Sequence, residues 1–346
     1  MKEYLKTVID KNKKLSDAIE ILHKGGMRIS LVVDKKGLLI GTITDGDIRR
    51  ALINKVDLDS PVKNIMNSNP ITALESLGSS KIESLMDSND IMHMPIIDSE
   101  GLLVGLETKY KIYRSKVENP VLLMAGGFGK RLSPLTDSLP KPLLKVGKKP
   151  ILETIINRFK EYGFYKFYIS THYRSEMIKD YFEDGSKWQI EIKYLDEDKP
   201  MGTGGSLQLL PDINEEFPLI LMNGDLLTQV NFESLLYHHN KSQSNITVCV
   251  VEYDFQVPYG VLQVNKTKVK QIVEKPIHKF FVNAGIYVIN SNLINQVRGS
   301  GHLDMPDLVT SEIDSPNGVN MFPLHEEWID IGRLSDLNKA KSLIND

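Results

Sequence analysis

Val121-Leu122-Leu123-Met124-Ala125-Gly126-Gly127-Phe128-Gly129-Lys130-Arg131 is the stretch that decides how the larger part of this 346-residue chain folds. Five apolar residues without polar alternation suit a parallel strand buried on both faces. Three glycines then let the backbone turn sharply and aim N–H groups at whatever sits beyond the strand. Downstream, Pro150 starts a helix running from Ile151 to Tyr162 and stopped by Gly163. Lys166-Phe167-Tyr168-Ile169-Ser170 and Phe217-Pro218-Leu219-Ile220-Leu221-Met222 read as further strands. Strands alternating with helices predict a doubly wound α/β sheet with its ligands at the carboxyl ends of the strands. Val261 to Val273 reads instead as a hairpin turning near Asn265-Lys266-Thr267, so a mixed sheet is expected.

The length exceeds what one core usually reaches, so two or more domains are expected. Hydrophobic residues make up 41% and charged residues 25%, as in soluble globular proteins. A net charge of −3 gives no basic excess and argues against nucleic acid as a main partner. A single cysteine, Cys249, excludes an internal disulfide and a thiolate metal cluster. It lies in the apolar run Ile246 to Val251, where a buried inert thiol is expected. No apolar run approaches the ~20 residues that span a membrane. Met1-Lys2-Glu3-Tyr4-Leu5-Lys6 lacks the apolar core of a secretory signal, so a cytoplasmic location is expected, with no membrane partner.

Upstream of the quoted stretch the sequence repeats itself. Val32-Val33-Asp34-Lys35-Lys36-Gly37-Leu38-Leu39-Ile40-Gly41 recurs 64 positions later (98 − 34) as Ile96-Ile97-Asp98-Ser99-Glu100-Gly101-Leu102-Leu103-Val104-Gly105. The same offset sets Ser16 to Leu22 against Ser80 to Met86. Each unit reads as an amphipathic helix, a hairpin turning at Asp-x-x-Gly, and a second short helix. One such unit is too small to bury its own sheet face, so the two should pair. The repeat resembles a tandem pair of cystathionine-β-synthase (CBS) domains, at 1–57 and 58–115, with the remainder at 116–346. The resemblance implies that Thr44 and Asp47 grip the ribose of an adenine nucleotide, and that the pair supports a homo-oligomer. The second unit departs from the pattern, with Lys111 where the acid should stand. The plainer alternative is a pair that only dimerises or packs on the rest of the chain. Arg114 to Asn119 is polar and reads as the linker.

The chemistry-bearing residues follow the first strand. Arg131 can fork onto phosphate oxygens and offset charge that builds in a transition state. The glycine turn is neither a Walker A loop nor a dinucleotide fingerprint, and alone it is a weak signal. In Pro140-Lys141-Pro142 the flanking prolines stiffen the backbone that presents the ammonium. Asp225, in Met222-Asn223-Gly224-Asp225, should emerge at a strand's carboxyl end, where a carboxylate suits Mg²⁺. Asp330, in Trp328-Ile329-Asp330-Ile331-Gly332, is the second candidate, while Trp328 reads as core packing. Glu274-Lys275-Pro276 closes the predicted hairpin with a carboxylate for sugar hydroxyls and an ammonium for a sugar's phosphate.

Taken in order, Gly-Gly-x-Gly-x-Arg, Pro-Lys-Pro, Gly-Thr-Gly-Gly, Asn-Gly-Asp, Glu-Lys-Pro, Asn-Ala-Gly-Ile-Tyr and Trp-Ile-Asp-Ile-Gly resemble the sugar-1-phosphate nucleotidyltransferase family over residues 120–346. That resemblance implies a Rossmann-like α/β domain and an Mg²⁺-dependent transfer of a nucleoside monophosphate to a sugar 1-phosphate. It assigns Gly126, Gly127, Gly129, Gly202 and Thr203 to the nucleoside triphosphate, and Arg131 and Lys141 to the phosphates in catalysis. Asp225 and Asp330 would bind Mg²⁺, and Gly260, Glu274, Lys275 and Asn283 the sugar 1-phosphate. Thymidylyl and many uridylyl relatives read the base with a glutamine near here, and none occurs between 196 and 206. The Gly-Thr-Gly-Gly form is closer to guanylyltransferases, which implies GTP. A CBS pair ahead of such a domain resembles the glucosamine-1-phosphate guanylyltransferases of legionaminic acid pathways, which implies glucosamine 1-phosphate. A uridylyl- or cytidylyltransferase is the alternative within the class, and a non-catalytic nucleotide-sugar sensor the alternative outside it.

Overall fold

In the computed structural model the chain divides into two compact units, Met1–Tyr113 and Arg114–Asp346. The structure describes residues 3–25, 27–108, 116–212 and 216–344. Lys111 and the first two residues of the expected linker lie outside them.

The first unit is built twice from one plan. Its first half runs β1 (Val8–Asp10), α1 (Leu15–Gly25), β2 (Ile29–Val33), β3 (Leu39–Thr44) and α2 (Asp45–Ile53). The second half runs β4 (Ala73–Leu74), α3 (Ser79–Ser88), β5 (His93–Ile97) and β6 (Leu103–Thr108). Each half forms a three-stranded sheet with one parallel and one antiparallel pairing. The registers coincide at the 64-residue offset: Val33 faces Leu39 as Ile97 faces Leu103, and the same bulge interrupts both hairpins. In each turn the aspartate does the shaping. Asp34 Oδ1 accepts from Lys36 and Leu38 N–H at 2.8 and 3.0 Å, and Asp98 Oδ1 from Glu100 and Leu102 N–H at 2.9 Å each. The two turns then bind each other: Leu39 N–H donates to Gly101 O at 3.2 Å and Leu103 N–H to Gly37 O at 3.1 Å.

Thr44 and Asp47 close the start of α2. Asp47 Oδ2 accepts from Thr44 N–H at 2.8 Å and Thr44 Oγ1 at 2.7 Å, and its Oδ1 accepts from Arg50 Nη2 at 2.6 Å. The pair forms a capping box, worth about 1 kcal/mol to the helix.

The second unit contributes β7 (Val121–Met124), the single-turn α4 (Leu135–Ser138), the two-residue strands β8 (Lys145–Val146) and β9 (Lys149–Pro150), and α5 (Ile151–Lys160). Then come β10 (Lys166–Thr171), α6 (Ser175–Phe182), β11 (Glu191–Asp196), β12 (Leu219–Asn223), β13 (Leu226–Thr228) and α7 (Phe232–Ser242). The chain continues through β14 (Ile246–Gln256), β15 (Val261–Asn265), β16 (Lys268–Val273), β17 (Ile277–Ile289), α8 (Ser291–Gln296) and α9 (Met305–Glu312). It closes with β18 (Val319–Leu324), β19 (Trp328–Asp330) and α10 (Leu334–Ile344). Seven strands form the main sheet in the order β11-β10-β7-β12-β17-β14-β18.

Both faces of this sheet are covered, as its unbroken apolar strands require. Val121, Leu123, Ile220 and Met222 pack into one core with Phe159 and Phe232, whose rings stack 3.8 Å apart. Leu122, Leu219, Leu221 and Tyr287 point into the other, with Leu293 and Met305. The expected mixed sheet is present, but not for the expected reason. The hairpin β15–β16 is a separate two-stranded sheet, and the antiparallel member of the main sheet is β17, paired with β12 and β14. Cys249 is fully buried, and Trp328 packs on the first core while its indole N–H donates to Ala284 O at 2.9 Å. Among the described residues no helix is long and apolar enough to cross a membrane.

One buried titratable group reports on the pairing of the two halves of the first unit. Burial pushes the His93 imidazole down to about 4; a hydrogen bond to the Met27 backbone opposes the shift, and Arg28 adds to it. A base with a depressed folded pKa leaves the fold fully stable above its unfolded value near 6.5, and that stability is lost as pH falls toward 4. The protection factors of amides in residues 3–108, taken relative to the intrinsic exchange rate at each pH, should therefore fall between pH 6.5 and 4, reflecting a loss of up to roughly 3 kcal/mol. The His93→Gln variant should show a flatter profile.

Candidate functional site

The site grows from the carboxyl ends of β7 and β12. Ala125 N–H still donates to Ser170 O at 2.9 Å, and beyond it the chain leaves the sheet through Gly126 to Gly129. Gly129 has φ +65°, and a Cβ there would come within 2.9 Å of Thr136 Cγ2 and 3.2 Å of Lys141 Cβ. Only glycine allows the loop to pass this close. Buried Leu132 anchors the 3₁₀ turn that follows, leaving Arg131 exposed with its guanidinium beside Gly332.

Gly224 makes the second close approach. Its N–H donates to Met124 O at 2.8 Å, and a Cβ would lie 2.5 Å from that oxygen. The chain therefore crosses directly over the end of β7 and delivers Asp225 to the centre of the sheet's edge. From there β13 pairs with β19, so that Leu226 faces Asp330, and Ile331 N–H donates to Asp225 O at 3.1 Å. Two carboxylates 105 positions apart (330 − 225) come side by side.

Lys141 reaches the same point from the other direction. It opens a buried 3₁₀ turn after Pro140, and its ammonium is ion-paired with Asp225 Oδ2. The other oxygen, Asp225 Oδ1, is buried and has no hydrogen-bond partner. Burial and the neighbouring Asp225 charge hold the Asp330 carboxyl above its usual range, while Lys141 and Arg131 pull it down. Arg131, Lys141, Asp225 and Asp330 thus act on one another in a single place. An unpartnered buried carboxylate oxygen next to a second carboxylate with a raised pKa suits a hard divalent cation.

The other residues picked out from sequence fall in four places. Gly126 sits against His172, and Gly127 faces open space. Thr203 donates through both N–H and Oγ1 to Asp304 Oδ1, at 2.9 and 3.1 Å, and its hydroxyl accepts from Met305 N–H at 2.9 Å. Its side chain therefore binds the Gly202 loop to the start of α9. Gly260, Glu274 and Lys275 cluster on the β15–β16 hairpin, where a Cβ on Gly260 would lie 2.9 Å from Glu274 Oε2 and Lys275 N–H donates to Tyr259 O at 3.3 Å. Asn283 Nδ2 donates to the Tyr287 hydroxyl at 2.5 Å, and its Oδ1 accepts from Gly285 N–H at 2.9 Å, bracing the bulge in β17 where Gly285 packs on Asn223.

Sequence reading missed Glu197, just past β11. Its Oε1 accepts from buried Ser170 Oγ, its Oε2 accepts from Met201 N–H at 3.1 Å, and its own N–H donates to Thr171 O at 2.9 Å. A Cβ on Gly126 would lie 3.6 Å from Oε1, so this carboxylate borders the glycine loop. The alternation Glu191-Ile192-Lys193-Tyr194-Leu195 marks the strand that carries it.

Residues 120–346 match the family model for nucleotidyl transferases, and residues 6–54 that for the CBS domain. The chain is 33% identical over 225 residues to mannose-1-phosphate guanylyltransferase 1 of Oryza sativa subsp. japonica, over 62% of each chain. It is 28% identical over 230 residues to mannose-1-phosphate guanyltransferase of Yarrowia lipolytica, over 62% of this chain and 61% of that one. The match thus spans about three-fifths of those relatives' length. Among solved structures, a glucose-1-phosphate thymidylyltransferase from Bacillus anthracis superposes with TM-score 0.53 at 21% identity, over 66% of this chain and 95% of that one. HddC from Yersinia pseudotuberculosis gives 0.51 at 24%, over 65% and 99%. These two likenesses are of fold.

The raised Asp330 pKa carries a stability signature. The folded chain holds this proton more tightly than the unfolded one, so the contribution is fully present below 3.8 and is lost as pH rises through the folded value. Asp330→Asn should therefore raise the melting temperature in EDTA at pH 7, while abolishing any rise on adding a divalent cation.

Proposed function

The chain belongs to the nucleotidyl transferase family, and we propose from this that it transfers GMP from GTP to a sugar 1-phosphate with release of pyrophosphate. The observation that carries the reading is the convergence of Arg131, Lys141, Asp225 and Asp330 on one sheet edge.

Asp225 and Asp330 would hold Mg²⁺, which supplies positive charge to the phosphate oxygens. Arg131 and Lys141 would neutralise charge on the triphosphate as the sugar phosphate oxygen attacks the α-phosphorus and pyrophosphate departs. The Lys141 ammonium, which balances Asp225 in this structure, would then turn to phosphate oxygens. No enzyme nucleophile is needed, and positioning with charge neutralisation does most of the catalysis. The open face of Gly127 leaves room for phosphate beside the backbone.

Glu197 supports the choice of guanine. A carboxylate only accepts hydrogen bonds, and guanine offers two adjacent donors, N1–H and N2–H, on its pairing edge. Uracil and thymine offer one donor between two acceptors, which a carboxylate repels. The names of the rice and yeast relatives point to the same base. For the acceptor the readings diverge: those relatives act by name on mannose 1-phosphate, while the sequence pattern with its CBS repeat points to glucosamine 1-phosphate.

Pyrophosphate release should be assayed across four triphosphates against mannose, glucosamine and glucose 1-phosphates with Mg²⁺. GTP should give the highest kcat/KM, and a flat response in every combination would overturn the assignment. Arg131→Ala and Lys141→Ala should each lower kcat by roughly 10²–10³. Glu197→Gln should raise the KM for GTP roughly tenfold relative to UTP; an unchanged preference would remove Glu197 from base selection.

A further inference from the structure

The three residues after β10 grip the glycine loop near both of its ends. At the near end, Tyr173 N–H donates to Gly126 O at 3.4 Å. Above it the exposed Phe128 ring lies 5.4 Å from the Tyr173 ring and meets His172 edge-on at 5.5 Å. At the far end, the Tyr173 hydroxyl donates to Thr136 O and Asp137 O, at 3.2 and 3.3 Å. Arg174 completes the grip. Its Nη2 donates to Asp137 O at 2.6 Å and its Nε to the Tyr173 hydroxyl at 2.9 Å, with the guanidinium 5.4 Å from the tyrosine ring. The segment enclosed between Gly126 and Asp137 contains Gly129 and Arg131.

Arg174 makes these contacts from a left-handed backbone, φ +51° and ψ +42°. For a residue with a long side chain that conformation costs on the order of 1 kcal/mol. Asparagine or glycine would sit there more easily and begin α6 equally well. What neither could supply is the guanidinium that closes on the Asp137 carbonyl.

We propose that Tyr173 and Arg174 are positioning residues for the triphosphate: they fix the span of the 126–137 loop so that its N–H groups and Arg131 meet the phosphates together. The inference rests on the reading of this loop as the triphosphate-binding element. Neither residue need touch the nucleotide.

Arg174→Gly separates positioning from plain stability, because it relieves the backbone while removing the guanidinium. Its melting temperature should match or exceed that of the parent, while the KM for GTP rises roughly five- to twentyfold. The KM for the sugar 1-phosphate should hold, and kcat should fall less than threefold. Tyr173→Phe keeps the ring against Phe128 and should give a smaller rise in the same constant. Calorimetric titration of full-length protein with GTP and Mg²⁺ supplies the control. If the parent binds GTP and Arg174→Gly binds it equally well, the proposal fails alone. If the parent binds no nucleoside triphosphate, the reading of the loop fails and takes the proposal with it.

Discussion

The charges of the transferase unit are placed by a contact that carries none. The Gly224 amide presses against the Met124 carbonyl so closely that no side chain fits between the end of β12 and the end of β7. That approach sends Asp225 over the strand end, where the ammonium of Lys141 meets it, and starts β13 so that its partner β19 brings Asp330 alongside. A wider turn would point the carboxylate into solvent. The strand that receives it is held in place because it is buried on both faces and packed from each side by a separate core. Rigid scaffold and reactive edge are thus parts of one arrangement, as in other open α/β sheets with a site at their carboxyl end.

How much of this could be read in advance varies with the range of the interaction. Elements defined by local pattern were legible: the strand at Val121, the helix from Ile151, the hairpin at Asn265 and the doubled first unit all register in periodicity and turn chemistry. The membership of β17 in the main sheet was not, because nothing in a thirteen-residue strand states which neighbour it will join. The same boundary runs through the site. Motif order singled out Arg131, Lys141, Asp225 and Asp330, and the fold brings all four together. Thr203, Asn283 and Thr44 were singled out in the same way, and in the fold each bonds a further side chain of the chain itself: Asp304, Tyr287 and Asp47. Short polar residues near glycines serve caps and turns as readily as ligands, and spacing does not distinguish the two. Glu197 escaped notice for the opposite reason, since its importance comes from Ser170 and Gly126, far off in sequence.

The two units also differ in how they use charge. In the first, Asp34, Asp47 and Asp98 shape two turns and a cap, each accepting from backbone N–H groups within four residues. In the second, the decisive acid is satisfied from 84 positions away and keeps one oxygen unsatisfied. Local satisfaction gives stiffness. An unfinished long-range arrangement leaves something for a ligand to complete.

The paired turns of the first unit have one more implication. Gly37 and Gly101 each present a carbonyl to the strand start of the opposite half, so the joint is the same from either side. Both bonds run between backbone groups, so exchanging the side chains of Leu39 or Leu103 does not remove the atoms that form them.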